Sequence, residues 1–341
     1  MKKIGIFNKL IFVVNSVAAF LLLLSYILPY IPPKNFALLS VLSLSVPLLI
    51  ILNILFFVYW LIRVRKQMLL SFLVLLFGWG YINSLYKFSS SKVEVNEDNF
   101  SVMSFNVRIF NSYNWLPNDN VRDDIKTFIV KEQPDIICFQ EYTRGTPLNI
   151  EGYHRFNGRY TKNVKPGHAI FSKFPIINSG SLEFPETTNN AIFIDVVRKS
   201  DTIRIYNLHL QSSGIQTDTK ALQNDSSERL FKKIGSTFKR QQSQVEQLLA
   251  HKAKVSYKTI VTGDFNNTAY SYIYKEILGD DLKDAFEEAG NGFGKTFDFK
   301  FFPLRIDFIL ADKAFKVNGY KTYNDVKLSD HYPIKAILKL N

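Results

Sequence analysis

Three long apolar runs succeed one another in the first 92 residues, and no Asp or Glu lies among them. They cover about 10–30, 36–62 and 68–86. Each is near or above the ~20 residues a helix needs to cross a ~30 Å hydrocarbon core. One such run is compatible with a buried helix of a soluble protein. Three in a row predict a membrane region of three transmembrane helices with a short linker over residues 1–92, leaving 93–341 as a separate domain. A cleaved signal peptide is the other reading of the first run. Its apolar stretch is too long for an h-region, and no small-x-small cleavage site follows.

The basic residues orient these helices. Lys2, Lys3 and Lys9 precede the first run, Lys34 alone lies between the first and second, and Arg63, Arg65 and Lys66 fill the second loop. The positive-inside rule puts the N-terminus and second loop in the cytoplasm. After three crossings the chain emerges on the opposite face, and the serines at 89–91 read as a polar linker. Residues 93–341 are therefore expected outside the cytoplasm, in the periplasm if the membrane is a bacterial inner one.

Charge narrows the choice of partners. Lys and Arg number 42 against 30 acids, a balance of +12 that invites a nucleic-acid reading. Nine of the 42 lie in residues 1–92, so the remainder carries 33 against 30. The basic character belongs to the membrane region and weakens the case for a high-affinity nuclease. Cys138 is the one cysteine, which rules out an intrachain disulfide, and its apolar neighbours mark it as a buried hydrophobe.

From residue 100 strands and helices alternate. Residues 100–107 read as a strand. Val121, Ile125, Phe128 and Ile129 then share one face of a helix that Pro134 stops. Residues 135–140 form an apolar run typical of a strand buried on both faces. Further strands are expected at 168–172, 191–197, 203–210, 259–262, 305–310 and 334–340, with a helix over 226–252. Mixed strands with intervening helices over ~250 residues indicate one α/β domain with packed sheets.

Isolated polar residues recur where these strands end: Asn106, Glu141, His209, Asp264 with Asn266, Asp307, and Asp330 with His331. Asp264 and Asn266 sit two apart after Gly263, so an extended strand end sends both to one side. Any one of them alone is explained by a turn-capping Asx or His. Taken together, Ser104-Phe105-Asn106, Gln140-Glu141, Gly263-Asp264-Phe265-Asn266, Arg305-Ile306-Asp307 and Ser329-Asp330-His331 resemble, in order, the endonuclease/exonuclease/phosphatase superfamily of DNase I-like nucleases, inositol-phosphate phosphatases and neutral sphingomyelinases.

The resemblance spans about 100–340 and implies a four-layer sandwich, two packed mixed β-sheets flanked by helices, with the site at one edge. It implies a metal-dependent hydrolase acting on a phosphodiester or phosphomonoester by in-line attack of water. Mg²⁺, with Mn²⁺ as the alternative, suits such a site because it takes oxygen ligands and stabilises added negative charge on phosphate. Glu141 and Asn106 are the implied ligands, with Asp330 contributing from the opposite side. His331 is matched to a histidine oriented by Asp307, Asn266 to a phosphate contact, and His209 to a phosphoryl or leaving-group contact. Asp264 is matched to a candidate base that positions or deprotonates the attacking water, with the base left open among the neighbouring acids. A zinc site built on His154, His168, His209, His251 and His331 fits poorly, since they lack short ligand spacings. His168 is expected to make a structural hydrogen bond.

Two features bear on the substrate. Phe297, Phe299 and Phe301 alternate, with Phe302 next, and read as the core face of a strand in preference to a lipid or base contact. The basic residues of the 226–252 helix read as a solvated face in preference to one resting on anionic lipid or nucleic acid. The substrate class stays open among a lipid headgroup, nucleic acid and a phosphorylated metabolite, met at the surface of the bilayer. The alternatives are a nuclease acting on extracytoplasmic DNA or RNA, and a catalytically inactive membrane-bound binding module. Every matched position keeps a usable side chain, which favours the enzyme.

Overall fold

The structure is a computed structural model describing residues 5–88, 97–143, 147–158, 167–214 and 227–340. The serines at 89–91 and the polar segment 215–226 lie outside the described residues. The first apolar run is a single helix, α1 (Ile6–Ser25), of 20 residues, about 30 Å long at 1.5 Å per residue. The second begins with a short helix, α2 (Pro33–Val41), and a 3₁₀ turn before α3 (Val46–Ile62). Pro33 and Pro47 stand in the first turns of α2 and α3, where the missing N–H has no partner to lose.

The third run is not one straight span. Helices α4 (Met68–Phe77) and α5 (Trp79–Leu85) meet at a 78° bend, and the ten residues of α4 rise only about 15 Å. Gly78 at the bend packs against Tyr26, whose hydroxyl would lie 2.0 Å from a Cβ added there. That hydroxyl donates to the Val74 carbonyl at 2.9 Å. Two helices are thus long and apolar enough to cross a membrane, or three if the bent pair counts as one span. A buried polar chain joins α1, α3 and α4. Trp60 donates to Asn15 at 3.0 Å, Asn15 to Ser71 at 2.7 Å, and Ser71 to Asn53 at 3.1 Å. Such bonds give helices a specific register where apolar contact with lipid gives none.

The next elements in order are β1 (Tyr86–Lys87), β2 (Phe100–Asn106), α6 (Val121–Glu132), β3 (Ile136–Tyr142), β4 (His154–Asn157), β5 (Gly167–Ser172) and β6 (Ile176–Ser181). Then come β7 (Asn190–Arg198), β8 (Asp201–His209), α7 (Ser227–Lys252), β9 (Lys258–Asp264), α8 (Tyr272–Leu278) and β10 (Leu282–Asp284). The chain closes with α9 (Ala285–Ala289), β11 (Gly292–Phe293), β12 (Asp307–Asp312), β13 (Phe315–Thr322) and β14 (Ile334–Leu340).

Two mixed six-stranded sheets result, ordered β13-β14-β2-β3-β5-β4 and β10-β12-β9-β8-β7-β6. Period-two alternation puts Val102, Cys138 and Ile170 of the first sheet against Ile194, Ile205, Ile260 and Ile309 of the second in one buried core. Val121, Ile125 and Ile129 of α6 cover the outer face of the first sheet. Val245 and Leu248 of α7, with Ile273 and Ile277 of α8, cover that of the second. This is the expected four-layer sandwich. Residues 297–304 depart from expectation: they are a loop with isolated bridges Phe297–Leu304 and Phe297–His331, and Phe301 is 59% exposed. These rings cover no sheet, so the reading of a core-facing strand is corrected.

The helical region packs against the sandwich. Val41 of α2 joins Ile234 and Phe238 of α7 in a small buried cluster. The Lys34 backbone N–H donates to Gln242 at 2.9 Å, and its ammonium pairs with Glu246. Tyr81 stacks on Tyr270 with centroids 5.6 Å apart, and β1 pairs with β11. The loop between the first two apolar runs and the sandwich therefore lie on one side of the helices.

Candidate active site

Register brings the strand ends together. Parallel β8 and β9 place His209 opposite Asp264, antiparallel β12 places Asp307 opposite Asp264, and β2 places Asn106 opposite Gln140. The two sheets are linked behind this edge by amides. Gln140 Nε2 donates to Asn207 Oδ1 at 2.7 Å, and Asn207 Nδ2 donates to the carbonyls of Phe139 at 2.8 Å and Ala169 at 3.2 Å. Gly263 has φ +134°, and a Cβ there would meet the Leu208 carbonyl oxygen at 2.0 Å. Only glycine lets β8 and β9 approach this closely.

Several flanking residues hold left-handed backbone without being glycine. Glu141 has φ 50°, Asn266 has φ 48°, and the four residues Arg108 to Asn111 after Asn106 lie between 41° and 58°. Such conformations cost energy and persist where the surroundings enforce them. The Glu141 turn coincides with a register shift between Phe139 and Tyr142, a bulge that re-aims its side chain.

The side chains converge on Asp264. Its Oδ2 accepts from Asn106 Nδ2 at 3.0 Å and from Asn266 Nδ2 at 3.2 Å, and its Oδ1 accepts the Asn266 backbone N–H at 2.8 Å. Asn266 Nδ2 also donates to the Leu210 carbonyl at 3.0 Å. Nε2 of His209 lies 3.6 Å from Asp264 Oδ2, and Nε2 of His331 lies 3.7 Å from it. The other ring nitrogen of His331, Nδ1, is 2.9 Å from Asp307 Oδ2. Thr296 Oγ1 accepts the backbone N–H groups of Ile306 and Asp307 at 3.0 and 3.1 Å, fixing the strand that carries this acid.

Burial and charge set the protonation states. Burial works against a charged His331, but the Asp307 and Asp264 carboxylates outweigh it and push the ring up to about 10. Burial holds His209 below its ordinary value, with Asp264 opposing, so this ring tends to be neutral. Burial raises Asp264, with Asp307 adding to the effect and both histidines opposing it. Burial likewise raises Glu141. The edge therefore pairs a cationic imidazole with a carboxylate of raised basicity, a division suited to donating to an anion and accepting a proton. His168 is buried with its ring 5.8 Å from that of His209, and burial lowers it to about 3. Its Nε2 has no partner among the described residues, so the structural hydrogen bond expected of it is not made by that atom.

These groups face a cavity of about 350 Å³ lined by Glu141, His209, Asp264, Asn266, Asp330 and His331, at the low end of the range for ligand sites. A wider groove of about 870 Å³ near Lys126, Glu151 and Arg155 has no such convergence. Two oxygen-bearing sets could meet a cation. Asp264, Asp307 and His331 offer ligand-type atoms within 4.8 Å of one another, but His331 Nδ1 is already engaged with Asp307. Glu141 and Asp330 reach the same cavity, and Glu141 has the Asn106 amide beside it at 3.3 Å. The two carboxylates, at partly exposed positions, fit a hard divalent ion that retains waters. Asn106, by contrast, is buried, turns its amide nitrogen to Glu141, and accepts the Arg108 backbone N–H at 3.0 Å on its Oδ1. Asp330 is shared, since Arg108 Nη1 lies 3.0 Å from its Oδ2.

Residues 103–331 match the model of the Endonuclease/Exonuclease/phosphatase family, two thirds of the chain. The chain belongs to that family. Solved members with a similar fold include an endonuclease/exonuclease/phosphatase from Beutenbergia cavernae, at 20% identity and TM-score 0.54, covering 72% of each chain. Another is the Bacteroides vulgatus protein, at 22% identity and TM-score 0.54, covering 71% of this chain and 99% of that one. The catalytic domain of human Nocturnin, with a bound sulfate anion, has 18% identity and TM-score 0.53, covering 74% and 97%. Residues 8–85 match a domain of unknown function, and no curated protein matches the chain.

All eight residues singled out from the sequence for this family's chemistry lie at the one sandwich edge. Sequence patterns did not reveal Arg108, which pairs with Asp330 and stacks 4.1 Å over Trp115. Nor did they reveal that Leu44, Leu230 and Phe238 border the same cavity. Arg108 follows the Asn106 motif by two residues, a spacing that offered a signal. The three apolar residues carry none, because each reads as helix core.

Proposed function

We propose that the chain is a membrane-tethered, divalent-metal-dependent phosphoesterase, with residues 1–92 as the anchor and 93–341 as the catalytic domain facing away from the cytoplasm. The observation that carries this reading is the convergence of Glu141, Asp264, His209 and the Asp307–His331 pair on one cavity within a fold of this family. Glu141, with Asn106 beside it, and Asp330 from across the cavity would hold Mg²⁺ or Mn²⁺. When bound, the ion supplies positive charge to a phosphate oxygen.

The remaining work falls to the chain's own groups. His331, kept cationic by Asp307, donates from Nε2 to a non-bridging phosphate oxygen and opposes the charge that builds there. Asp264 accepts a proton from the attacking water, while the amides of Asn106 and Asn266 fix its orientation. A bond forms from the water oxygen to phosphorus, the P–O ester bond opposite breaks, and the departing oxygen keeps the bonding pair and takes a proton from solvent water. His209, beside Asp264, contacts the phosphoryl group or that departing oxygen. The acids act as a coupled set.

Hydrolysis in ¹⁸O-enriched water tests the reaction. With Mg²⁺ present, a phosphodiester such as bis(p-nitrophenyl) phosphate should give phosphorus-bearing product carrying the label, and chelation should stop it. Label in the alcohol, or no turnover of diesters and monoesters alike, would contradict the reading.

A further inference from the structure

The cavity at the sandwich edge has two unlike walls. One is the polar set already described. The other is apolar: Phe297, Phe299 and Phe302 from the loop before β12, Leu230 and Phe238 from α7, and Leu44 from the turn that leads into α3. Phe299 touches Phe302 with centroids 4.8 Å apart, and Phe297 lies edge-on to His331 at 4.9 Å. A phosphate seated at His331 would have an aromatic ring as its next neighbour.

The origin of Leu44 decides what this wall is for. Leu44 precedes α3 by two residues, and α3 is a helix with no charged residue over its length. The sandwich is fixed there by several independent contacts. The Thr268 hydroxyl donates to the Ser43 carbonyl at 3.3 Å, the Lys34 backbone N–H donates to Gln242, and Val41 packs on Ile234 and Phe238. The apolar half of the cavity therefore adjoins the start of α3, the helix that on the membrane-anchored reading enters the bilayer. A sugar phosphate would leave these rings and leucines wet, and a base stacked on one ring would leave the leucines so. A long alkyl chain buries them at roughly 25 cal/mol per Å².

Resting on the phosphoesterase reading, we propose that the substrate is a membrane lipid: a phosphoester with a long hydrocarbon tail. Its phosphate sits at Glu141, Asp264 and His331. The start of its tail lies against Leu44, Phe299 and Phe302, and the rest remains in the bilayer. The ester is presented from the membrane and need not leave it.

Alkyl p-nitrophenyl phosphates test this, because the scissile bond stays constant while the alkyl group grows. The full chain in mixed micelles is assayed with Mg²⁺ on the methyl, octyl and hexadecyl esters and on a single-stranded oligonucleotide. For the wild type, kcat/KM should rise at least tenfold from methyl to hexadecyl. That ratio should fall toward one in Leu44→Asn and in Phe299→Ser, with thermal melting in the same micelles reporting that each variant is folded. A wild-type ratio near one would overturn the lipid assignment, as would a ratio that both folded variants retain or an oligonucleotide cleaved faster than the hexadecyl ester. If the methyl ester is still hydrolysed and Glu141→Gln abolishes this, the phosphoesterase reading stands alone. Turnover of no ester, or turnover indifferent to Glu141→Gln, would overturn both.

Discussion

Replacing Asn207 by Ala probes the joint that holds the two halves of the site in register. Asn207 is fully buried, donates to two carbonyls across the sandwich and accepts from Gln140. It stands two residues before His209, and Gln140 stands one before Glu141. The Ala variant removes three hydrogen bonds, each worth about 1 kcal/mol net, so the expected loss is about 3 kcal/mol. For a domain near 250 residues this lowers Tm by about 6–12 °C. Calorimetry of the full chain in detergent measures it. The Gln140 side chain would keep its bonds to Ser104 at 3.0 Å and the Cys138 carbonyl at 3.2 Å, so the variant should still fold. A shift under about 2 °C would show that the sheets are held in register without this amide pair.

Three further outcomes follow from the geometry. Gly263→Ala must push its Cβ into the Leu208 carbonyl, so it should cost more than about 4 kcal/mol and appear as loss of cooperative melting. Ser71→Ala breaks the buried chain between Asn15 and Asn53 and should lower helical-region stability by about 1 kcal/mol, measured by denaturant titration in micelles. Glu132 is raised by burial but held below the usual carboxylate range by Lys335 and Tyr323. Its contribution is present above the unfolded pKa of about 4.3 and disappears as pH falls through the folded value. Melting from pH 7 to pH 3 should show that loss, and Glu132→Gln should show less of it.

The sequence made some elements far more legible than others. Strands with buried faces on both sides, such as β3 and β7, announced themselves as largely apolar runs. The strands that pattern reading passed over include β4, β6, β10 and β13, which are the edges of the two six-stranded sheets. In β6, Asn178 and Ser179 are exposed and polar, and β13 carries a bulge between Val317 and Gly319. Edge strands hide their period because only one side is paired. The bend at Gly78 was equally hidden, since the ring of Tyr26 that accompanies it lies 52 positions away.

The candidate site was legible because its polar residues terminate apolar strands, which leaves each one isolated and visible. Its apolar wall was not. Leu44, Leu230 and Phe238 come from segments whose periodicity is fully explained by helix packing, and only tertiary contact brings them to Glu141. The Phe297–Phe302 rings misled for a related reason. Alternation over a few residues is shared by a strand and by a loop laid along a cavity.

The most direct test of the central claim is the Mg²⁺ dependence of phosphodiester turnover by the full chain, compared with Glu141→Gln. This substitution keeps the shape at the cavity and removes the charge that would hold the ion. Wild-type turnover that saturates with Mg²⁺ and falls at least a hundredfold in the variant is the predicted result. Turnover in the variant equal to wild type, or unaffected by chelation in either, would contradict a metal-assisted phosphoesterase at this edge of the sandwich.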